Sequence, residues 1–143
     1  MHIPLGSLKF LALDCQTTGN SLKSNNILEI GWLECKAMDP STARGPIPAT
    51  YFVRQPRQAP LSKRIQKLTG IGDSHIKNAV DAQTALDALL KKASEIAGAN
   101  RTSRCPVVIH YARFEMGFLE KLYRRFQQAP PLPFNVICTH QIA

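Results

Sequence analysis

The chain has 143 residues, 44% of them hydrophobic and 20% charged, which suits one globular domain and is too short for two. Its 18 Lys and Arg residues outnumber its 10 Asp and Glu residues, and the formal net charge of +8 favours a polyanionic partner without establishing one. No apolar run approaches the roughly 20 residues that span a bilayer, and the amino terminus lacks a secretory leader pattern, so we expect a cytoplasmic protein without membrane contact.

The first half of the chain is predicted to form a meander of three strands. Mostly apolar runs occupy residues 8–14, 27–36 and 47–54. A Thr-Thr-Gly-Asn turn signal follows the first run, and a loop with Pro40, Gly45 and Pro46 separates the second run from the third. Strands that follow one another through short polar turns are typical of antiparallel pairing.

The second half is predicted to alternate helices with strands. Helical periodicity over residues 61–68 ends at Gly70, and Asp81 is a plausible N-cap for a longer helix that ends at Gly98. The remaining elements are a strand over residues 106–110, an amphipathic helix over 114–126, a strand over 134–138 and the beginning of a helix at Thr139.

This order of elements predicts an α/β fold. Three antiparallel strands followed by αβαβ form an RNase H-like mixed sheet flanked by helices. We expect residues 1–143 to form a single domain. We also expect it to be incomplete at its carboxy terminus, because the helix that begins at Thr139 would normally cover a face of the sheet.

The strongest local signal for chemistry lies at the end of the first strand. Asp14 and Gln16 are two residues apart, so their side chains should converge on one face. Carboxylates at both positions would make a hard-oxygen site for Mg²⁺ or Mn²⁺. The turn Thr17-Thr18-Gly19 would then let a nucleotide approach the backbone. The alternative is an ordinary strand-end aspartate followed by a turn.

Five segments, in order along nearly the whole chain, resemble motifs of one family. They are DCQTTG at 14–19, NILEIG at 26–31, LTGI at 68–71, HYARFE at 110–115 and NVICT at 135–139. The first two are similar to D-x-E-T-T-G and I-x-E-I-G of the DnaQ-like (DEDD-type) 3′→5′ exonucleases. The third is similar to the family's H/L-T-G-I segment, the fourth to its second motif, H-N-x-x-F-D, and the fifth to a strand that ends in D-T.

The resemblance implies hydrolysis of nucleic-acid 3′ ends with two divalent cations, held in that family by four carboxylates and assisted by a His or Tyr base. Asp14 matches the first carboxylate, whereas Gln16 stands where the family has a glutamate and Glu115 where it has an aspartate. No His-x₄-Asp, the pattern of the third motif, occurs in the chain.

The resemblance therefore assigns the catalytic positions to Asp14, Gln16 and Glu115. Of these, Asp14 and Glu115 would be the metal ligands for Mg²⁺ or Mn²⁺, bound weakly or not at all. The expected substrate-binding residues are Thr17, Thr18, Gly19, His110 and Arg113.

Two explanations of the incomplete acidic set remain open. The chain is either a piece of a longer enzyme, with Gln16 natural or introduced, or a degenerate member that keeps the fold. A degenerate member would bind nucleic acid, or dock a polymerase or another protein, without cleaving. Both explanations predict little or no hydrolysis by these 143 residues.

Simpler interpretations apply to the other conspicuous residues. The cysteines show no CxxC pair and are expected to be reduced core thiols, and Glu29 is expected to be a hydrogen-bonded structural carboxylate near the site. Phe114 is expected to pack in the core. Three basic clusters are either solvated helix faces or a phosphate-binding rim; they are Lys63, Arg64 and Lys67; Lys91 and Lys92; and Lys121, Arg124 and Arg125.

Overall fold

The computed structural model describes residues 3–39, 48–56, 60–127 and 131–142. A short 3₁₀ turn at Leu5–Ser7 precedes the first strand. The strands are β1 (Lys9–Thr17), β2 (Ile27–Lys36), β3 (Ala49–Phe52), β4 (Cys105–Ile109) and β5 (Phe134–Cys138). The helices are α1 (Lys63–Thr69), α2 (Asp73–Lys77), α3 (Ala82–Ala99), α4 (Ala112–Gln127) and α5 (Thr139–Ile142). The predicted loop with Pro40, Gly45 and Pro46 lies outside the described residues.

The strands form one mixed sheet in the order β3-β2-β1-β4-β5. The β1–β2 and β2–β3 pairs are antiparallel, and the β1–β4 and β4–β5 pairs are parallel. This order confirms the predicted α/β fold with an RNase H-like sheet. The two parallel neighbours place the carboxyl ends of β1, β4 and β5 at the same edge of the sheet.

One face of the sheet carries most of the core. Along β1, Leu11, Leu13 and Cys15 are buried, whereas Asp14, between them, is exposed. This alternation with period two is expected of a strand whose two faces meet different environments. Helices α3 and α4 contribute their apolar stripes to the same core cluster, including Leu89 and Phe118. Asp14 and Gln16 therefore lie on the face opposite the main core.

The first strand runs further than predicted. We expected it to end at Asp14, but β1 continues to Thr17 because its pairing with β2 persists through Gln16 opposite Glu29. A bulge between Gln16 and Thr17 shifts the register just before the turn. The Thr-Thr-Gly-Asn sequence indicated an earlier turn, but Thr17 is β-branched and therefore compatible with a strand.

Asp81 occupies the N-cap position of α3 as predicted, but the helices differ from the prediction at several points. Helix α1 begins at Lys63 instead of residue 61, and α3 continues past Gly98 to Ala99. Helix α2 was not predicted, because five residues are too few to show a periodic pattern. The Asp81 side chain makes no capping hydrogen bond to α3; it pairs instead with Arg54 at 2.6 Å. Helix α4 begins at Ala112, two residues before the predicted start. Gly70 ends α1 as expected, in the left-handed conformation at φ 73°.

A buried polar contact fixes the opposite end of β1. Asn100, which ends α3, is 2% exposed. Its Oδ1 accepts a hydrogen bond from the Lys9 backbone N–H at 3.0 Å, and its Nδ2 donates to the Lys9 carbonyl at 2.7 Å. This side chain thus replaces a neighbouring strand for one residue of β1.

The four cysteines are free thiols, three of them buried and Cys138 partly exposed. Burial raises the pKa of the Cys15 thiol and raises that of Cys105 to about 11, which keeps both protonated. In the described part of the chain, no helix has the length and apolarity needed to cross a bilayer.

Candidate active site at the end of β1

Asp14 and Gln16 converge at the end of β1, as the two-residue spacing predicted. The Nε2 group of Gln16 donates a hydrogen bond to Oδ2 of Asp14 at 3.0 Å. A glutamate at position 16 would place a second negative charge beside Asp14, and the amide instead directs a donor at it. The carboxylate is therefore partly satisfied by a neutral group of the same strand.

Glu115 approaches the same point from the first turn of α4. It is 7% exposed, and its Oε2 accepts a hydrogen bond from the Cys15 backbone N–H at 3.1 Å. Burial, and then the neighbouring charge of Asp14, raise the pKa of the Glu115 carboxyl to about 8. The hydrogen bond from Cys15 opposes this shift without cancelling it. At neutral pH this carboxyl is therefore mostly protonated in the absence of a cation.

A third acid, Glu29 of β2, is directly opposite Gln16 in the pairing of β1 with β2. Its pKa is raised by partial burial and by the charge of Asp14, and His75 of α2 has the opposite effect. The expectation of a hydrogen-bonded structural carboxylate is not met, because no hydrogen bond joins the Glu29 side chain to another described residue. Its role is electrostatic, since it adds negative potential beside Asp14.

The segment between β1 and β2, residues 18–26, forms a compact loop that we call the β1–β2 loop. The Thr17 hydroxyl donates to the Gly19 carbonyl at 2.7 Å. Thr18 and Asn26 close the loop through two hydrogen bonds, Thr18 N–H to the Asn26 carbonyl at 2.9 Å and Asn26 N–H to the Thr18 hydroxyl at 3.1 Å. A Cβ at position 19 would lie 2.6 Å from Oδ1 of Asn25, so glycine allows the Asn25 amide to pack directly against the backbone here.

A cleft of about 430 Å³ opens between the β1–β2 loop and α1. The predicted substrate residues Thr17, Thr18 and Gly19 line one wall together with Gln16. The opposite wall contains residues from α1 and the start of α4, namely Ser62, Arg64, Ile65, Leu68, Thr69 and Phe114. Of the first basic cluster, only Arg64 is among the lining residues.

Phe114 has two environments rather than one. It lines the cleft and packs its ring 5.2 Å from that of Phe118 in the core. Phe114 therefore packs against the core as expected, and the same half-buried side chain also lines the cleft. The sequence did not predict that α1 forms a wall of the cleft, although Leu68 and Thr69 belong to the segment that resembles the family's H/L-T-G-I.

Asp14 and Glu115 do not themselves line this cleft, although their hydrogen-bond partners Gln16 and Cys15 do. His110 and Arg113 do not line it either. His110 lies just beyond β4, where its Nδ1 is 2.9 Å from the Thr139 hydroxyl and its ring contacts that of His140 edge-on at 5.8 Å. Arg113 is exposed on the first turn of α4. Their predicted contact with substrate remains a prediction, and both are exposed residues in or near the β4–α4 connection.

The donor set suits one hard divalent cation better than two. Asp14 and Glu115 supply two adjacent carboxylates, and a rotated Gln16 amide would supply a third oxygen. Within the described ranges, no group of three His, Cys, Asp or Glu side chains is arranged to hold a metal ion. Mg²⁺ is commonly bound by one or two carboxylates with water and substrate oxygens completing the shell. The two carboxylates of Asp14 and Glu115 carry too little negative charge to hold a second divalent cation as well.

The fold and this acidic strand end define a nuclease-like α/β domain. Residues 11–143 match the family model described as Exonuclease (RNase_T), and the chain belongs to that family. It is a DnaQ-like exonuclease domain of the RNase H-like superfamily, as the ordered motifs predicted.

The relatives are much longer than this chain. A DNA polymerase III of PolC type from Halalkalibacterium halodurans is 29% identical over 124 residues, which are 87% of this chain and 8% of the polymerase. An exonuclease I from Methylocaldum szegediense has a TM-score of 0.68 at 12% identity, over 94% of this chain and 28% of that one. Escherichia coli exonuclease I in complex with a dT13 oligonucleotide has a TM-score of 0.63 at 11% identity, over 83% of this chain and 24% of that one.

Proposed function

We propose that this chain is an exonuclease domain that holds the 3′ end of a single-stranded nucleic acid in the cleft and hydrolyses it at a strongly reduced rate. The observation that carries the proposal is the convergence of Asp14 and Glu115 at the end of β1, where Glu115 Oε2 accepts a hydrogen bond from the Cys15 N–H at 3.1 Å and the charge of Asp14 contributes to the raised pKa of Glu115. The family resemblance requires carboxylates at both position 14 and position 16. Gln16 instead donates a hydrogen bond from Nε2 to Asp14 Oδ2 at 3.0 Å and supplies no second negative charge.

The reduced rate follows from the charge of the site. A bound Mg²⁺ or Mn²⁺ would polarise the phosphate and lower the pKa of an attacking water. Asp14 and Glu115 would hold one ion, which would first have to displace the proton that Glu115 carries without a cation, where its pKa is about 8, and the two carboxylates would supply only half of the four that the family resemblance implies. The two-cation arrangement implied by the family requires more charge than this. Glu115 is also one methylene longer than the family's aspartate, and such a displacement of a ligand lowers the rate further.

Several features support binding of a strand end. The positively charged side chain of Arg64 lies on one wall of the cleft, and the loop backbone near Gly19 lies on the other. Phe114 is half-buried and lines the cleft, where its ring would offer an aromatic surface for a base to stack on. The chain's net charge of +8 gives a general attraction for phosphates. The relative that is a DNA polymerase and the solved complex with dT13 are consistent with this choice of ligand.

A second candidate is a binding module without hydrolysis, which would present a strand end or dock a polymerase. The same Gln16–Asp14 hydrogen bond favours it, since the site is satisfied without a cation. The two candidates predict the same cleft and the same ligand. They differ in whether restoring charge at position 16 restores cleavage.

The decisive experiment compares the chain with Gln16→Glu on a single strand labelled at its 5′ end, with Mn²⁺ present. We expect slow shortening from the 3′ end by the unsubstituted chain and an increase of roughly tenfold or more in Gln16→Glu. Gln83→Glu is the matched control, because Gln83 is exposed on α3 and its substitution changes the net charge equally. Binding without cleavage in all three proteins would favour the binding module, and absence of binding at low salt would refute both candidates.

A further inference from the structure

The third basic cluster contains one lysine, Lys121, that is exposed but whose ammonium is hydrogen-bonded to the backbone of another segment. The Lys121 ammonium, on α4, donates hydrogen bonds to the Leu22 carbonyl at 2.7 Å and to the Asn25 carbonyl at 2.6 Å. These carbonyls lie 99 and 96 residues earlier in the chain, in the β1–β2 loop. Two of the three ammonium donors are therefore committed to backbone oxygens of that loop.

Packing reinforces these hydrogen bonds. One turn before Lys121, Gly117 leaves room for Leu22: a Cβ on Gly117 would lie 3.1 Å from Leu22 Cδ1. The loop is thus held on α4 by an apolar contact at the Leu22 side chain and by polar contacts at the carbonyls of Leu22 and Asn25. Leu22 is 47% exposed, so burial alone holds the loop weakly.

The anchored residues lead directly to the cleft. The side chain of Asn25, whose carbonyl Lys121 holds, accepts a hydrogen bond from Ser21 N–H at 3.0 Å and lies against Gly19. Gly19 and the adjacent Thr18 line the cleft. A displacement of Asn25 would therefore be transmitted to the backbone that faces the strand end.

We infer that Lys121 is a positioning residue, which fixes the β1–β2 loop against α4 so that Thr18 and Gly19 meet the bound strand end. The inference rests on the proposed function, because it gives the loop a ligand to contact. One helix then sets two parts of the site: its first turn presents Glu115, and Gly117 and Lys121, on the following turns, hold the loop. The ammonium acts through the loop and does not touch a phosphate.

The test measures binding of a fluorescein-labelled oligothymidylate by anisotropy over a range of salt, and hydrogen exchange of residues 19–26. We expect Lys121→Met to raise the Kd about threefold to tenfold, with an unchanged dependence of log Kd on log salt and faster exchange in the loop. Lys121→Arg keeps donors for both carbonyls and should restore most of the affinity. Lys36→Met, at the far end of β2, removes the same charge and should leave loop exchange unchanged.

Each other outcome overturns the inference. If Lys121 contacts a phosphate, Lys121→Met will lower the salt slope by about 0.7 and leave loop exchange unchanged. Faster loop exchange with unchanged oligonucleotide affinity would show that Lys121 holds the loop but does not position it for the ligand. If the unsubstituted chain binds no oligonucleotide at low salt, the proposed function fails and the positioning role fails with it. Accelerated loop exchange in Lys121→Met would then still show the anchor, which separates the two failures.

Discussion

The carboxyl of Glu115 accepts a hydrogen bond from the backbone N–H of Cys15, a residue 100 positions earlier, at 3.1 Å. This contact joins the start of α4 to the end of β1 and places an acid that is 7% exposed beside Asp14. A buried carboxyl with a negative neighbour is stable only when it is protonated or when a cation is bound. The stability of the domain should therefore report on the site.

Glu115→Gln should stabilise the cation-free protein at high pH. The folded-state pKa of about 8 lies above the ordinary value of 4.5, so the unfolded chain loses this proton first. The contribution of Glu115 to the free energy of unfolding consequently falls as pH rises from 4.5 to about 8, then levels off. At about pH 9 we expect the variant to be more stable than the unsubstituted chain by roughly 2 to 4 kcal/mol. Urea unfolding in EDTA measures this difference.

The difference should vanish at about pH 4, where the glutamate is neutral in both states. Glu120→Gln, on the same helix but facing solvent beside Arg124, is the control and should change little at any pH. A Glu115→Gln variant that is less stable than the unsubstituted chain at high pH would contradict the raised pKa.

Gln16→Glu should lower stability without a cation and increase the response to one. The new carboxylate replaces a hydrogen-bond donor to Asp14 with a like charge, and Glu29 lies opposite it on β2. We expect a loss of about 1 kcal/mol in EDTA at neutral pH and an increase of tenfold or more in Mn²⁺ affinity. Thermal unfolding with and without Mn²⁺, together with calorimetric titration, measures both effects. Equal Mn²⁺ affinity in the two proteins would mean that position 16 does not face the ion.

Gly19→Ala should disturb the cleft more than the fold. The added Cβ would lie 2.6 Å from Asn25 Oδ1, an atom already held by Ser21 N–H. The Asn25 amide must shift and release Ser21 N–H, which loosens the loop, so we expect oligonucleotide affinity to fall about fivefold while stability falls by about 1 kcal/mol. Gly98→Ala is the matched control, because nothing lies within 4 Å of its added Cβ. It should leave binding unchanged and raise stability by up to about 1 kcal/mol, since Gly98 lies in a helix.

The sequence predicted the sheet and the local acidic site for different reasons. The limits of β2 and β5 follow from apolar runs bounded by turn residues, and the pairing of Asp14 with Gln16 follows from the two-residue period of a strand. The end of β1 was placed too early, because the persistence of its pairing with β2 depends on the register of the partner strand rather than on local residues.

Contacts between distant segments could not be predicted in this way. The approach of Glu115 to Cys15 was suggested only by the family's second motif, and no spacing rule links Lys121 to the carbonyls of Leu22 and Asn25. A lysine on an amphipathic helix resembles any other solvated lysine until the packing of the helix is known. Such positioning residues depend on tertiary geometry, which a single sequence does not display.

Asn100→Ala should be the most destabilising of the polar substitutions considered, although it lies far from the cleft. The side chain satisfies both the N–H and the carbonyl of Lys9 at 3.0 and 2.7 Å and is 2% exposed. Its removal leaves the two Lys9 backbone groups at the start of β1 without these partners in a partly buried environment, at a cost of roughly 2 to 3 kcal/mol. Asn78→Ala removes one 3.3 Å hydrogen bond at an exposed position and should cost less than about 1 kcal/mol.

Chemical unfolding measures both asparagine variants, and oligonucleotide binding at low temperature separates stability from function. Asn100→Ala should bind with the affinity of the unsubstituted chain wherever it is folded, because Lys9 and Asp14 lie at opposite ends of β1. A loss of stability no greater than that of Asn78→Ala would show that water replaces the side chain at Lys9. The end of β1 that is distant from the cleft would then be open to solvent rather than sealed by α3.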